Sequence, residues 1–400
     1  MSSSTPSPGR KWHGAAVRQA LTAAPWHQAP PPGWRAVRWL LWTGRLHAAA
    51  TRCRALFRRY PVRLDLAARL GLLLLAAEPD PYEACALLQS TVRAEPNNAH
   101  YRYWLAEAQM AEGQSSLALE NLEAGLQGRP DHAPMREAKG RLLLAMGRVA
   151  EALACLDAAL AAKSASASLW NDRGRCLDLL GQSEQAAASF RHAARLAPRD
   201  GAVWANLGLV LQKVGRVEEA LQCLRRALQL RPGDPVLLNN VGYSLMAVGR
   251  PVEAVESYRQ ALAHEPDSVV IMGNLAAGLA KLGRRREATD ALSAALQISP
   301  GDATLLNNKG HLLMETGQYQ QAMACFDSAL AQCPADAALL ANKAACYVAM
   351  GAYDQAVIYY GKAAELQPRN RQYLLSLGTC LERMGRVEEA LQCFNQALSA

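Results

Sequence analysis

The chain repeats itself every 34 residues, and that period limits what it can fold into more than any other feature of the sequence. The stretch from Gly201 to Asp234 shows the unit. Read as helix, Trp204, Leu207, Gly208 and Leu211 share one face. Ala220, Leu224, Ala227 and Leu228 share one face of a second helix. Both sets follow the i, i+3, i+4, i+7 spacing of an amphipathic helix. Gly215 sits between them, where one helix must end and the chain must turn back, and Pro232 stops the second helix. Steps of 34 from Pro232 reach Pro266, Pro300, Pro334 and Pro368 forwards, and Pro198, Ser164, Pro130 and Pro96 backwards. The turn glycine recurs in the same phase from Gly113 to Gly385, and the small residue of the second helix from Ala118 to Ala390. A hairpin of this kind cannot bury its apolar faces alone, so it must stack on its neighbours.

Period, turn glycine, second-helix alanine and terminal proline together resemble the tetratricopeptide repeat. The resemblance runs from Ala99 to the end as nine units in phase, the last cut short at Ala400. It implies an all-α fold, a right-handed alpha-solenoid superhelix of stacked helix-turn-helix hairpins. It also implies a binding scaffold without fixing what is bound. Residues 30–98 read as two degenerate units. Gly44, Ala49 and Pro61 fall at repeat positions in the first, and Ala84 and Pro96 in the second. In the second, Glu78, Pro79, Asp80 and Pro81 replace the turn glycine. Residues 1–29 form a basic tail rich in Ser and Pro, which is expected to be disordered. Ser164 interrupts the proline series within Ala161 to Ser168, so a softer joint is expected there. The sequence stops at the end of a second helix with no extra polar cap. That leaves open a homo-oligomer or partner contact through the C-terminal face, or a longer chain.

Half the residues are apolar and a fifth are charged, as in a folded chain. No apolar run is long enough to cross a bilayer, and no compact apolar segment of secretory type opens the sequence. The ten cysteines are spaced by the repeat rather than as a disulfide framework. Cys155, Cys223, Cys325 and Cys393 share one repeat position, and Cys176, Cys346 and Cys380 share another. They read as small hydrophobes in a reducing, cytoplasmic compartment, with no metal site and no cofactor.

Charge is unevenly placed. Residues 1–64 hold eleven Lys and Arg and no acid, whereas the rest holds 32 basic and 35 acidic residues. The net +8 therefore belongs to the N-terminal segment. That segment also holds Trp12, Trp26, Trp34, Trp39 and Trp42, five of the eight tryptophans. One reading is a degenerate capping repeat. A second is contact with an anionic surface, either membrane lipid headgroups or nucleic acid, through Arg35, Arg38, Arg45, Arg52, Arg54, Arg58, Arg59, Trp39 and Trp42. A third is a targeting peptide.

No nucleotide-binding, zinc-protease or serine-hydrolase motif is present. Acidic pairs such as Glu218 and Glu219 open second helices, where the helix dipole favours them. The informative polar feature keeps the period. Asn206, Asn240, Asn274, Asn308 and Asn342 occupy the sixth position of five consecutive units, and Asn239 and Asn307 thicken the row. The row resembles the asparagine ladders with which tetratricopeptide superhelices hold an extended peptide, as in the repeat domain of O-linked N-acetylglucosamine transferase. An amide both donates and accepts, so it can pair with a peptide backbone. The same asparagines could instead bond within or between hairpins. Neighbouring positions put Tyr243, His311, Lys213 and Lys281 on the concave groove. The Lys/Asn/Arg clamp with which family members capture C-terminal carboxylates is incomplete here. The expected ligand is therefore an internal, extended, neutral or mildly acidic segment of a partner protein. The leading expectation is a non-enzymatic protein-interaction scaffold. The alternatives are the substrate-recognition arm of a glycosyltransferase-like enzyme whose catalytic domain is elsewhere, and an adaptor to membrane or nucleic acid.

Overall fold

The computed structural model describes residue 21 and residues 31–77, 81–162 and 166–399. The expected disordered tail apart from Leu21, which is buried, the Glu78–Asp80 turn and the centre of the expected soft joint at 163–165 lie outside the described residues. Every described regular element is an α-helix, and the helices pair as hairpins. The chain divides into two compact units between Arg199 and Asp200. In the N-terminal unit the hairpins are α1 (Trp34–Trp42) with α2 (Leu46–Arg59), and α3 (Leu64–Ala77) with α4 (Pro81–Ala94). Then come α5 (Ala99–Ala111) with α6 (Ser115–Gly128), α7 (Ala133–Ala145) with α8 (Val149–Ala161), and α9 (Ala167–Leu179) with α10 (Ser183–Leu196). The C-terminal unit holds α11 (Gly201–Lys213) with α12 (Val217–Leu230), α13 (Pro235–Ala247) with α14 (Pro251–His264), and α15 (Val269–Lys281) with α16 (Arg285–Ile298). It continues with α17 (Ala303–Glu315) and α18 (Tyr319–Gln332), α19 (Ala337–Ala349) and α20 (Tyr353–Leu366), and α21 (Arg371–Arg383) and α22 (Val387–Ser399). Odd-numbered helices are the first of each hairpin and even-numbered helices the second.

The turn glycine is required by backbone conformation. Gly215 has φ +82°, and a Cβ there would meet nothing within 4 Å. Its N–H donates to the Gln212 carbonyl at 3.0 Å, and the Arg216 N–H donates to the Leu211 carbonyl at 2.9 Å. These are the two bonds of a Schellman stop, which needs a left-handed residue. The starts of first helices are set by a signal the proline series hides. The residue two after each terminal proline is the N-cap. Asp234 accepts from the Val236 and Leu237 N–H groups at 3.0 and 3.1 Å, and Asp302 and Asp336 do the same in their hairpins.

The repeated second-helix alanines, such as Ala220, Ala254 and Ala288, are fully buried, and large side chains fill the space around them. Tyr258 and Phe326 are the bulkiest of these fully buried groups. Charged pairs stitch several second helices to the next hairpin. Lys139 bonds Glu123 at 2.9 Å, Arg173 bonds Asp157 at 2.6 Å, and Lys343 bonds Asp327. The Glu of the recurring Gly-Arg-x-x-Glu sequence pairs with the Arg three residues before it, as in Arg250–Glu253 and Arg284–Glu287. Arg225 and Arg259 of the preceding second helices reach the same two carboxylates. These glutamates thus have specific partners as well as a favourable place on the helix dipole. None of the ten cysteines forms a disulfide, and six of them are buried. Burial pushes the Cys85 and Cys176 thiols up to about 11, which keeps them protonated and unreactive.

One first-helix cap is a histidine. His132 Nδ1 accepts from the Met135 N–H at 3.2 Å and so caps α7. Its ring lies edge-on to His100, 5.2 Å between centroids. Burial, then His100 and Arg129, bring its pKa down from 6.5 to about 4. The folded value lies below the unfolded one, so stability is full above about pH 6.5 and declines as pH falls towards 4. Thermal unfolding at pH 7, 5.5 and 4.5 is expected to show that decline, and His132→Asn, a cap without charge, is expected to reduce it. Equal pH slopes for the two proteins would rule out His132 as its source.

Candidate peptide-binding face

The asparagine row is carried on the first helices of the C-terminal unit. There α13 packs against α11 and α15, and α17 against α19. Asn240, Asn274 and Asn342 are half-buried and Asn308 is exposed. The row is not uniform. Asn274 Nδ2 donates to Asn239 Oδ1 at 2.8 Å, and Asn342 Nδ2 donates to Asn307 Oδ1 at 2.8 Å. Each pair clasps one first helix to the next. The Asn240 backbone carbonyl accepts from Gln212 Nε2 at 3.1 Å and from Ser244 Oγ at 3.0 Å. Its side-chain amide, like that of Asn308, has no protein partner among the described residues. The two uses weighed for these asparagines are thus divided among them: Asn274 and Asn342 join hairpins, while Asn240 and Asn308 hold their amides in reserve.

The cause is the residue 35 positions earlier. Asn274 and Asn342 are preceded by Asn239 and Asn307, which offer an acceptor. Asn240 and Asn308 are preceded by Ala205 and Gly273, which offer none. Beside Asn308, where Gly273 offers no acceptor, space opens. A pocket of about 210 Å³ is lined by Gly273, Ala276, Ala277 and Ala280 of α15, with Leu292 behind them and Asn308 and His311 of α17 beside them. A Cβ on Gly273 would meet only Leu305, at 3.4 Å. Ala277 falls at the ninth repeat position, where the sequence already gives a small, apolar groove surface; Gly273, Ala276 and Ala280 extend it into a recess. The run from Gly273 to Ala280 was the available signal, since small residues on a groove position leave a recess.

Tyr243 projects with 57 % of its surface exposed. His311 is also exposed, with Nδ1 3.5 Å from Glu315 Oε1. Lys213 and Lys281 stand exposed in the last turns of α11 and α15, where a cation also suits the helix dipole. Neither lysine lines the pocket. A broader concavity of about 600 Å³ lies on the second-helix side, over Pro232, Gly233 and His264. Its Arg225 is engaged by Glu253.

In the N-terminal unit the corresponding positions are closed by charge. Glu107, Arg141 and Arg175 stand 34 residues apart at the ninth repeat position, where the C-terminal unit has Leu209, Tyr243, Ala277 and His311. Arg141 bonds Glu107 at 2.6 Å. Of the residues expected at an anionic surface, Arg54 is instead committed to Glu83 through two bonds, of 3.2 and 2.6 Å.

A family model described as the C-terminal domain of cilia and flagella-associated protein 70 matches residues 138–305. Two models described as tetratricopeptide repeat match residues 279–346 and 336–400. No curated protein sequence matches the chain. Among solved structures, a tetratricopeptide repeat protein from Parabacteroides merdae is 17 % identical, with a TM-score of 0.51; the match covers 62 % of this chain and 98 % of that one. PilW, described as a type IV pilus biogenesis factor, is 22 % identical over 54 % of this chain and 98 % of its own, with a TM-score of 0.48. YrrB, described as a TPR protein with an unusual peptide-binding site, is 19 % identical over 46 % of this chain and 95 % of its own, with a TM-score of 0.43. At these identities the likeness is one of fold.

Proposed function

The chain is a tetratricopeptide-repeat protein, and from that premise we propose that it acts as a non-enzymatic scaffold, holding an extended segment of a partner protein along the first-helix face of residues 200–400. The observation that carries this reading is the pair of uncommitted amides, Asn240 and Asn308, two hairpins apart on either side of the small-residue helix α15. An extended peptide presents N–H and C=O groups that must be satisfied when it leaves water. An asparagine amide can answer both. The recess beside Asn308 takes one apolar side chain of the segment, and its position sets the register. Lys213 and Lys281 border the same face and favour acidic or neutral residues at the flanks of the segment.

The clasped pairs make a clean control. Peptides selected from a random displayed library on the full chain are the probe, with affinity measured by fluorescence polarisation. Asn240→Ala with Asn308→Ala is expected to weaken binding by about fivefold to a hundredfold, because each lost hydrogen bond is worth ~0.5–1.5 kcal/mol. The melting temperature is expected to hold. Asn274→Ala and Asn342→Ala are expected to lower the melting temperature, because each leaves Asn239 or Asn307 without its donor. A folded Asn240→Ala, Asn308→Ala protein with undiminished affinity would rule out this face as the binding site.

A further inference from the structure

We propose that the outer face of α1 and α2 is a docking surface for an anionic lipid bilayer. In α1, Trp34, Val37 and Leu41 are buried and hold the helix on the N-terminal core. Arg35, Arg38, Trp39 and Trp42 fall at i, i+3, i+4 and i+7, and so line one side of the helix. All four are exposed, Trp39 at 54 % and Trp42 at 75 %. Arg45, in the turn after α1, lies with its guanidinium 5.7 Å from the centroid of a Trp39 ring, which brings it to the same side. Three more exposed arginines, Arg52, Arg58 and Arg59, stand on α2.

Charge complementarity names the occupant. Among the described residues, none of these six arginines has an acidic partner, whereas Arg54 and Arg63 are tied to Glu83 and Asp65. The first acid of the sequence is Asp65, so nothing local offsets their charge. Two broad, largely exposed indole rings beside six exposed arginines are costly to leave facing water. They suit the headgroup region, where indole rings settle at the interface and guanidinium groups pair with phosphate. Trp39 and Trp42 stand on the convex side of one helix, a shape that suits lying in a headgroup layer more than the groove in which single-stranded bases stack, which favours a bilayer. The surface lies in the N-terminal unit and shares no residue with the peptide-binding face, so the two proposals stand or fall separately.

Flotation of the full chain with phosphatidylcholine vesicles, and with vesicles carrying about one-third phosphatidylserine, tests this. Binding is expected to the anionic vesicles alone and to fall as salt rises. Arg35→Glu with Arg38→Glu and Arg45→Glu should weaken it at least about tenfold. Trp39→Ala with Trp42→Ala keeps the charge and should weaken it too. All five positions are exposed or in a turn, so helicity by circular dichroism should not change. Absence of binding to anionic vesicles, or binding that neither variant reduces, overturns the proposal. So does tighter binding of a single-stranded RNA homopolymer than of vesicles at equal phosphate concentration.

Discussion

Glu107→Ala is expected to destabilise the N-terminal unit by about 3–5 kcal/mol, the usual cost of stripping one partner from a buried ion pair. Glu107 on α5 and Arg141 on α7 meet at 2.6 Å, with side chains 2 % and 15 % exposed. Burial acts to pull the Arg141 guanidinium down, but Glu107, aided by Tyr103 and Asp172, outweighs it and holds the group above the ordinary arginine value. Arg141 Nε is buried with no acceptor, so the guanidinium leans on the Glu107 bond. Glu107→Gln keeps an acceptor and should cost less. Glu107→Leu with Arg141→Met removes both charges and should come close to the parent, because two apolar groups need no desolvation. Urea unfolding followed by circular dichroism reads all three. A Glu107→Ala protein as stable as its parent would mean that water reaches Arg141 and the pair is effectively a surface one.

The second large effect is steric. Gly242→Leu is expected to cost about 3 kcal/mol or more, at the upper end of what overpacking a tight interface produces. Gly242 lies on α13 where the Tyr258 ring of α14 crosses it. A Cβ there would come within 2.5 Å of Tyr258 Cε1, and Tyr258 is only 1 % exposed. A leucine must therefore part the two helices of the hairpin. Gly242→Ala should cost far less. The same repeat position carries Ala344, which shares a core with Tyr360 at the matching position. That pair shows that an alanine and a tyrosine can occupy the two positions together. In a stacked array each hairpin contacts mainly its neighbours, so hydrogen exchange should rise from α11 to α16 more than at the chain end. Equal losses from the alanine and leucine variants would show that the ring yields freely.

The readable part of the sequence was its local part. A stop such as Gly215 or Pro232 depends on bonds a few residues long, and a helical face depends on spacings of three and four. The 34-residue step joins these into hairpins, so the helices and the small faces by which they pair follow from Ala220, Gly208 and their repeats. The N-cap aspartates are equally local, at a fixed place two residues after the terminal proline. The asparagine row is different. Five identical residues at one repeat position leave two uses open, ligand contact or bonding between hairpins, and the structure divides them: Asn274 and Asn342 bond their neighbours while Asn240 and Asn308 do not. The deciding residues, Asn239, Asn307, Ala205 and Gly273, are 35 positions away in sequence and one helix away in space. The basic segment divides the same way, with Arg54 claimed by Glu83 of a later helix and Arg35 left in water. Composition and period determine which groups a face carries. Which of them remain unbonded is decided by packing, because a hydrogen bond or ion pair forms only when side chains on neighbouring helices point at one another within about 3 Å.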